Sequence, residues 1–417
     1  MNPRSGGDAV PLRNRIVTVV AATLGTQVVA SGALALLPTI APKVGESLKI
    51  APAWVGYYVT LIYAGAMVAS LLSGNLVRRW GAGRAAQAAL GIIAVGCLLS
   101  AIPSLPAMAL GALVLGSSYG LVTPSSSHLL IRFGSAKSIN FIFSVKQSGV
   151  PLGGMIAGAI APAIALTLGW QSTFLIGAAA CLATATLLEP LRRSWDTDRN
   201  PNIKLLQNPL SILGLVHGVP VLRWLMMVII SYVVVQICLT TFVVTALVTE
   251  IGFSLLEAGF LFSLIQLVGA LGRLFWGWSA DRLRSELGLL GALGLMMGGI
   301  SLGVAFMTPN WPKLAIYGSF ILLGAMAIGW NGVYLAALAR YSPPGQVSTV
   351  SGISVFYSSW GILLGVPAFA ALHQVLGSYA PLFGLLALAS YGGALACWLA
   401  HKGIPSSPTL EPTAGSP

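Results

Sequence analysis

Two basic residues sit where basic residues are costly. Lys146 lies in the apolar run that begins at Ile139, and Arg273 lies within QLVGALGRLFWGWSADRLR, which runs from Gln266 to Arg284. A cation in hydrocarbon normally faces a bundle interior, a partner or water. Arg273 offers a planar, permanently charged fork that matches a carboxylate, whereas Lys146 offers a point charge. No Asp or Glu lies well inside any apolar run: Glu250 and Glu257 flank one turn, and Glu189 closes another run. The pair can therefore bind an anion, with an external ligand as the missing counter-ion. Lys146 keeps a second reading, because its long stem can carry the ammonium out to the lipid headgroups.

Other residues of the same runs fit a cavity face. Gln266, Gly269, Ala270, Arg273 and Gly277 recur at helical spacing, as do Lys146, Gly149 and Gly153, and Gln147 adjoins the lysine. Small residues allow helices to approach and polar ones hydrogen-bond across, although plain helix packing explains the glycines equally well. Gln27, Tyr119, Gln236, Trp330, Asn331 and Ser358 are further lining candidates, each also readable as an ordinary interior residue. Ser358 aligns with Lys146 when Gly149 is matched to Gly361. His128, four residues before Arg132, reads as interfacial rather than as a proton relay.

The elements that must position these residues follow from composition. Of 417 residues, 56% are hydrophobic and 8% charged, with a mean hydropathy of +0.86. Soluble domains carry about 25% charged residues. So few charges cannot clothe a water-facing surface, and the expected class is an all-α polytopic membrane protein. Spans are expected at 16–37, 53–77, 85–102, 105–131, 139–166 and 170–191, then at 222–248, 254–280, 287–307, 311–339, 347–372 and 377–400. Each is long enough to cross about 30 Å of hydrocarbon at about 1.5 Å per residue. The expected organisation is a polar N-terminus (1–15), a six-helix half (16–191), a polar loop (192–220), a second six-helix half (221–400) and a Ser/Pro-rich tail (401–417). Ala33-Leu34-Ala35 mimics a leader cleavage site, but the first run is too long for a leader and is expected to stay as a span.

Charge sets the expected orientation. With the N-terminus inside, Lys43, Lys49 and Lys313 are the basic residues of outer loops, and Lys146 and Arg273 are intramembrane. All other Lys and Arg fall on the cytoplasmic side, the positive-inside pattern with both termini inside. The net charge of +12 is thus spread among membrane loops, which argues against nucleic acid as a partner. At about 1.5 Å per residue, Lys146 and Arg273 both sit roughly 10–12 Å from the cytoplasmic ends of their runs. An internal repeat supports two halves: one constant spacing carries Leu115-Gly116 onto Leu323-Gly324, Arg132-Phe133 onto Arg340-Tyr341, and Leu168-Gly169 onto Leu376-Gly377. The turns GNLVRRWGAGR (74–84) and GWSADRLR (277–284) are also parallel. The four cysteines are scattered through apolar runs with no CxxC and read as small buried hydrophobes.

Two six-span halves, a charged central loop and the hairpin of Gly277, Asp281 and Arg282 resemble the major facilitator superfamily over the whole chain. The family's loop after the second span reads GxLaDRxGrr. Gly74, Leu76, Arg79, Gly81 and Arg84 fit it, but Arg78 stands where the family has its aspartate. That acid latches helices on the cytoplasmic side in the outward-open state, so the resemblance implies gating roles for Gly74, Arg78, Arg79, Gly277, Asp281 and Arg282. It leaves the first latch without its acid. GVPLGG (149–154) partly resembles the glycine-proline motif of antiporters. GRLFWGWSADR is similar to the eighth span of monocarboxylate and oxalate/formate carriers, which implies that Arg273 grips a carboxylate. In the resembled fold the fifth and eighth helices are neighbours across the central cavity, which would bring Lys146 and Arg273 together.

The function expected is a secondary transporter of the cell inner or plasma membrane, carrying a small organic anion by proton symport or exchange. The alternative is an efflux carrier for hydrophobic drugs or metabolites. No Walker-type motif supports direct ATP drive, and the scattered histidines include no HExxH. No enzyme activity and no cofactor are expected. The partners expected are an anionic small molecule and the bilayer, for a monomer.

Overall fold

The computed structural model describes residues 12–133, 139–202, 216, 218–283, 285–343 and 347–403; within these, the side chains of 12–15, 71, 72, 74, 139–141, 144, 281, 347–349 and 352 are not described. The expectations at Arg284, in the middle of the central loop and in the tail beyond 403 lie outside the described residues. So does the side chain of Asp281.

Twelve helices among the described residues are long and apolar enough to span a bilayer. They are Ile16–Leu48, Pro52–Ser70, Ala82–Ser100, Leu105–Phe133, Val145–Thr167, Trp170–Leu187, Pro220–Thr249, Leu255–Ala280, Glu286–Val304, Lys313–Tyr341, Ile353–Leu376 and Tyr379–Lys402. In hydrocarbon every backbone polar group must be satisfied within the segment, so apolar runs of this length become helices. The outer surface of the bundle is correspondingly apolar: Leu314, Val375, Phe306 and Leu187 are all more than 70% exposed. The first helix is longer than expected, running Leu12–Leu48 through Pro38 and Pro42, so these prolines do not end it. The sixth span stops at Leu187, and a separate short helix, Glu189–Trp195, opens the central segment.

Two spans expected to be continuous are broken. The fifth consists of Ile139–Gln147 and Gly149–Thr167, divided at Ser148. The tenth consists of Lys313–Ala327 and Asn331–Tyr341, divided at 328–330. Pro151 has no N–H, so the carbonyl four residues earlier, that of Gln147, cannot be satisfied along the helix. This is the local reason the fifth span opens beside Lys146.

The spans form two six-helix bundles. In the first, the second and third spans pack on the fourth, and the first packs on the fifth; in the second, the ninth and seventh pack on the twelfth, and the eighth packs on the tenth. The repeat has a physical basis. Gly116 lets the fourth span lie directly against the Ile62 carbonyl of the second, and Gly324 lets the tenth lie against Ile265 of the eighth. Gly169 and Gly377 both turn the chain at positive φ, 85° and 68°, between the last two spans of each half.

The halves meet along three seams: fifth against eighth, second against eleventh, first against seventh. Near the end of the molecule that carries the 1–2 turn, Gly56 of the second span faces Phe242 of the seventh and Ala370 of the eleventh, with no room between them for a methyl group. That end is called the far end below. The opposite end, where the first span begins, is called the base.

Candidate functional site

A cavity of about 100 Å³ lies between the halves. The first half contributes Ser31, Tyr63, Tyr119, Pro151 and Gly154, and the second contributes Gln236, Thr240, Thr241, Gln266, Arg273 and Ile328. Small-molecule sites typically measure about 300–1,000 Å³. This one is narrow, walled by aliphatic and aromatic side chains with a few polar groups converging on it.

Arg273 carries the cavity's only formal charge among its lining residues. The eighth span places it against both broken helices. Its Nε donates to the Ile328 carbonyl at the break of the tenth span (3.1 Å), and its Nη1 donates to the Gln147 carbonyl at the break of the fifth (2.9 Å). Charged hydrogen bonds of this kind are worth about 1.5–3 kcal/mol each. One turn further, Trp276 donates Nε1 to the Ala325 carbonyl (3.0 Å), fixing the eighth span to the same break. The bond to Gln147 crosses from one half to the other. No ion pair involves Arg273 among the described residues.

Lys146 is 1% exposed and does not reach out to the headgroups, so the snorkelling reading is set aside. Nor does it line the cavity. Its Nζ points to Gln147 Oε1 (3.1 Å) and Thr123 Oγ1 (3.4 Å). It nonetheless shares a hydrogen-bonding residue with Arg273. The residue that both cations contact is Gln147. Its main-chain oxygen serves Arg273 and its side-chain oxygen serves Lys146.

Tyr119, Gln236 and Gln266 line the cavity as expected. Gln27 is fully buried one step behind, with its Nε2 donating to Ser31 Oγ (2.9 Å) and Tyr119 Oη (3.3 Å). Asn331 braces Gln236 through an Nδ2–Oε1 bond of 3.0 Å. Gln266 packs so closely on Gly154 that a methyl group there would collide with its amide. Ser358 is not brought to the cavity: its hydroxyl bonds back to Val355 of its own helix (2.7 Å), a common choice for a helical serine with no cross-helix partner. Trp330 is buried in the second bundle against Tyr232 and Tyr334 rather than lining the cavity. Ser31, Tyr63, Thr240 and Thr241 were not singled out by sequence, since isolated hydroxyls in apolar runs carry no spacing signal.

At the base, Arg78 and Arg79 end the second span and are exposed. An acid reaches this turn from the central segment. Asp196, just after the short helix Glu189–Trp195, accepts from the Gly83 and Arg84 amides (2.7 and 3.0 Å) and caps the third span. Burial raises the Asp196 carboxyl from its ordinary value in spite of those bonds. Asp198 pairs with His128 (2.8 Å) and Arg132 (3.0 Å), and the Asn200 amide donates to the Arg78 carbonyl (2.9 Å). The central segment thus clasps the first half. In the second half, Arg282 lies over the Trp278 ring at 5.7 Å, Gly277 touches nothing that a methyl group would meet, and Arg340 pairs with Glu286 (2.8 Å). Gly74 lies within the second span's helix.

Two six-helix bundles enclosing a largely apolar cavity, on which a few polar groups converge, define a helical membrane transport protein. The chain belongs to the Major Facilitator Superfamily, whose pattern matches residues 23–366. It is similar to the 4-hydroxybenzoate transporter PcaK of Acinetobacter baylyi, 23% identical over 368 residues that cover 78% of this chain and 79% of that one. It is also similar to the 2-nitroimidazole transporter of Escherichia coli, 25% identical over 415 residues that cover 90% and 93%. Among solved structures, the proton:xylose symporter XylE matches with a TM-score of 0.69 at 16% identity, covering 93% of this chain and 96% of that one. The Escherichia coli fucose:proton symporter FucP matches at 0.63 and 14%, covering 92% and 99%. At such identities these structures speak for the fold alone.

Proposed function

We propose that this transporter carries a small organic anion, a planar monocarboxylate in the first instance, by alternating access at the central cavity. The observation that carries this reading is Arg273: a guanidinium in the cavity wall, held by two carbonyls, with no carboxylate partner among the described residues. An intramembrane cation with no acid beside it is costly, and an anionic ligand would offset that cost. The narrow cavity suits a flat solute, and the likeness to a 4-hydroxybenzoate transporter agrees in substrate chemistry. The base faces the cytoplasm, with both termini on the cytoplasmic side of a cell inner or plasma membrane. Residues 16–191 and 221–400 form the moving halves, and the protein acts as a monomer. Gly74, Arg78, Arg79, Gly277, Asp281 and Arg282 belong to the gate at the base.

The likeness to a 2-nitroimidazole transporter favours a second reading, a carrier of neutral heteroaromatic compounds. Thermal-shift measurement on purified protein separates the two. The anion reading expects 4-hydroxybenzoate to stabilise the wild type and 4-hydroxybenzyl alcohol not to, with both compounds inert on Arg273→Ala. Stabilisation by the alcohol or by 2-nitroimidazole that survives Arg273→Ala would establish the second reading.

A further inference from the structure

Gln147 has a place in this site that its residue type does not announce. Pro151 deprives its main-chain carbonyl of an in-helix donor, and that carbonyl takes Arg273 Nη1 at 2.9 Å. Its side-chain carbonyl takes Lys146 Nζ at 3.1 Å. One neutral residue therefore offers two oxygens to two cations, as a bound carboxylate would. We infer that Gln147 is a built-in stand-in for the substrate. It holds both cations while the carrier is empty, and an anion must displace it, so the protein works as an anion exchanger.

The link to exchange is geometric and rests on the anion reading above. Arg273 belongs to the second half and Gln147 to the first, so their bond ties the halves together. An empty carrier must break that bond to reorient, leaving Arg273 Nη1 without its acceptor in a water-poor site while Nε keeps the Ile328 carbonyl. A carboxylate supplies two charged acceptors to the same cations and outcompetes two neutral carbonyls. The loaded carrier then moves with its charges satisfied and the tie released. Return without cargo is the slow step, and return with a second anion is fast.

The test uses full-length protein in proteoliposomes with radiolabelled 4-hydroxybenzoate as probe. Internal unlabelled 4-hydroxybenzoate should accelerate wild-type uptake by about tenfold or more over empty vesicles, a barrier difference of about 1.4 kcal/mol. Gln147→Ala removes the oxygen held by Lys146 and should narrow that ratio. Gln147→Glu installs a permanent carboxylate against Lys146, on the residue whose main-chain carbonyl holds Arg273. It should raise the melting temperature of ligand-free protein and abolish both the stabilisation by 4-hydroxybenzoate and the exchange. Equal wild-type rates with and without internal anion overturn the exchanger, and so does a Gln147→Glu variant that still binds and exchanges the probe normally. If the wild type fails to bind the probe at all, the anion reading fails, and the ligand-free melting temperature still decides the stand-in: a rise in Gln147→Glu supports it and a fall overturns it.

Discussion

The cations at the ends of the molecule and those in its middle are held in different ways. At the base, Arg132 and His128 share Asp198, Arg192 takes Glu189, and Arg340 takes Glu286. At the far end, Lys43 takes Glu46 and Lys313 takes Glu257. Every ion pair among the described residues lies at one end or the other. Between them, Arg273 and Lys146 touch only carbonyl and hydroxyl oxygens. The difference separates charges neutralised by acids from charges held by neutral oxygens alone. An acid beside Arg273 would neutralise it permanently and compete with any anionic cargo, whereas a carbonyl satisfies its hydrogen bonds and leaves its charge uncancelled.

The sharpest way to break this contrast is to remove the central fork. Arg273→Ala should abolish uptake of 4-hydroxybenzoate into proteoliposomes while the protein still inserts, because both the charge and the tie between halves go. Arg273→Lys keeps the charge but cannot hold the Ile328 and Gln147 carbonyls together in one plane. Its uptake should fall by at least about tenfold. Lys146→Met comes next. It removes one cation and one contact of Gln147, so affinity for the anion should drop while some transport remains. Wild-type uptake in both Arg273→Ala and Lys146→Met would end the anion reading.

How far these roles were legible in the sequence follows the same division. The twelve spans and two halves could be read because hydrocarbon enforces long apolar helices and because paired glycines mark equivalent helix crossings, Gly116 with Gly324, and equivalent turns, Gly169 with Gly377. Arg273 was conspicuous as a charge in an apolar run. The breaks at Ser148 and at 328–330 were not, although Pro151 was the clue to the first, since a proline frees the carbonyl four residues behind it. Gln147 was a candidate only as a neighbour of Lys146, and its main-chain role belongs to the fold rather than to its residue type. Ser358 was inferred from alignment with Lys146, but a serine can satisfy itself on its own helix and does so. The missing acid at Arg78 was legible as an absence, while the capping of this turn by Asp196 joins segments more than a hundred residues apart and has no local signal.

The charges at the two ends should behave as stability elements with no part in substrate choice. Burial works to raise the Asp198 carboxyl, but the His128 hydrogen bond, with the charges of His128 and Arg132, outweighs it and holds the group below its ordinary value. A depressed folded value means stability that is full above the unfolded carboxylate range and is lost as pH falls through the folded value. Melting of purified wild type should therefore weaken on strong acidification more than melting of Asp198→Asn does. Asp196→Ala removes the cap of the third span and should cost about 1 kcal/mol. The measurement that matters is the pair of readouts: a lower melting temperature together with unchanged 4-hydroxybenzoate affinity in the molecules that remain folded. A change of affinity in Asp196→Ala would mean that the base clasp reaches the cavity and that the two kinds of charge are coupled.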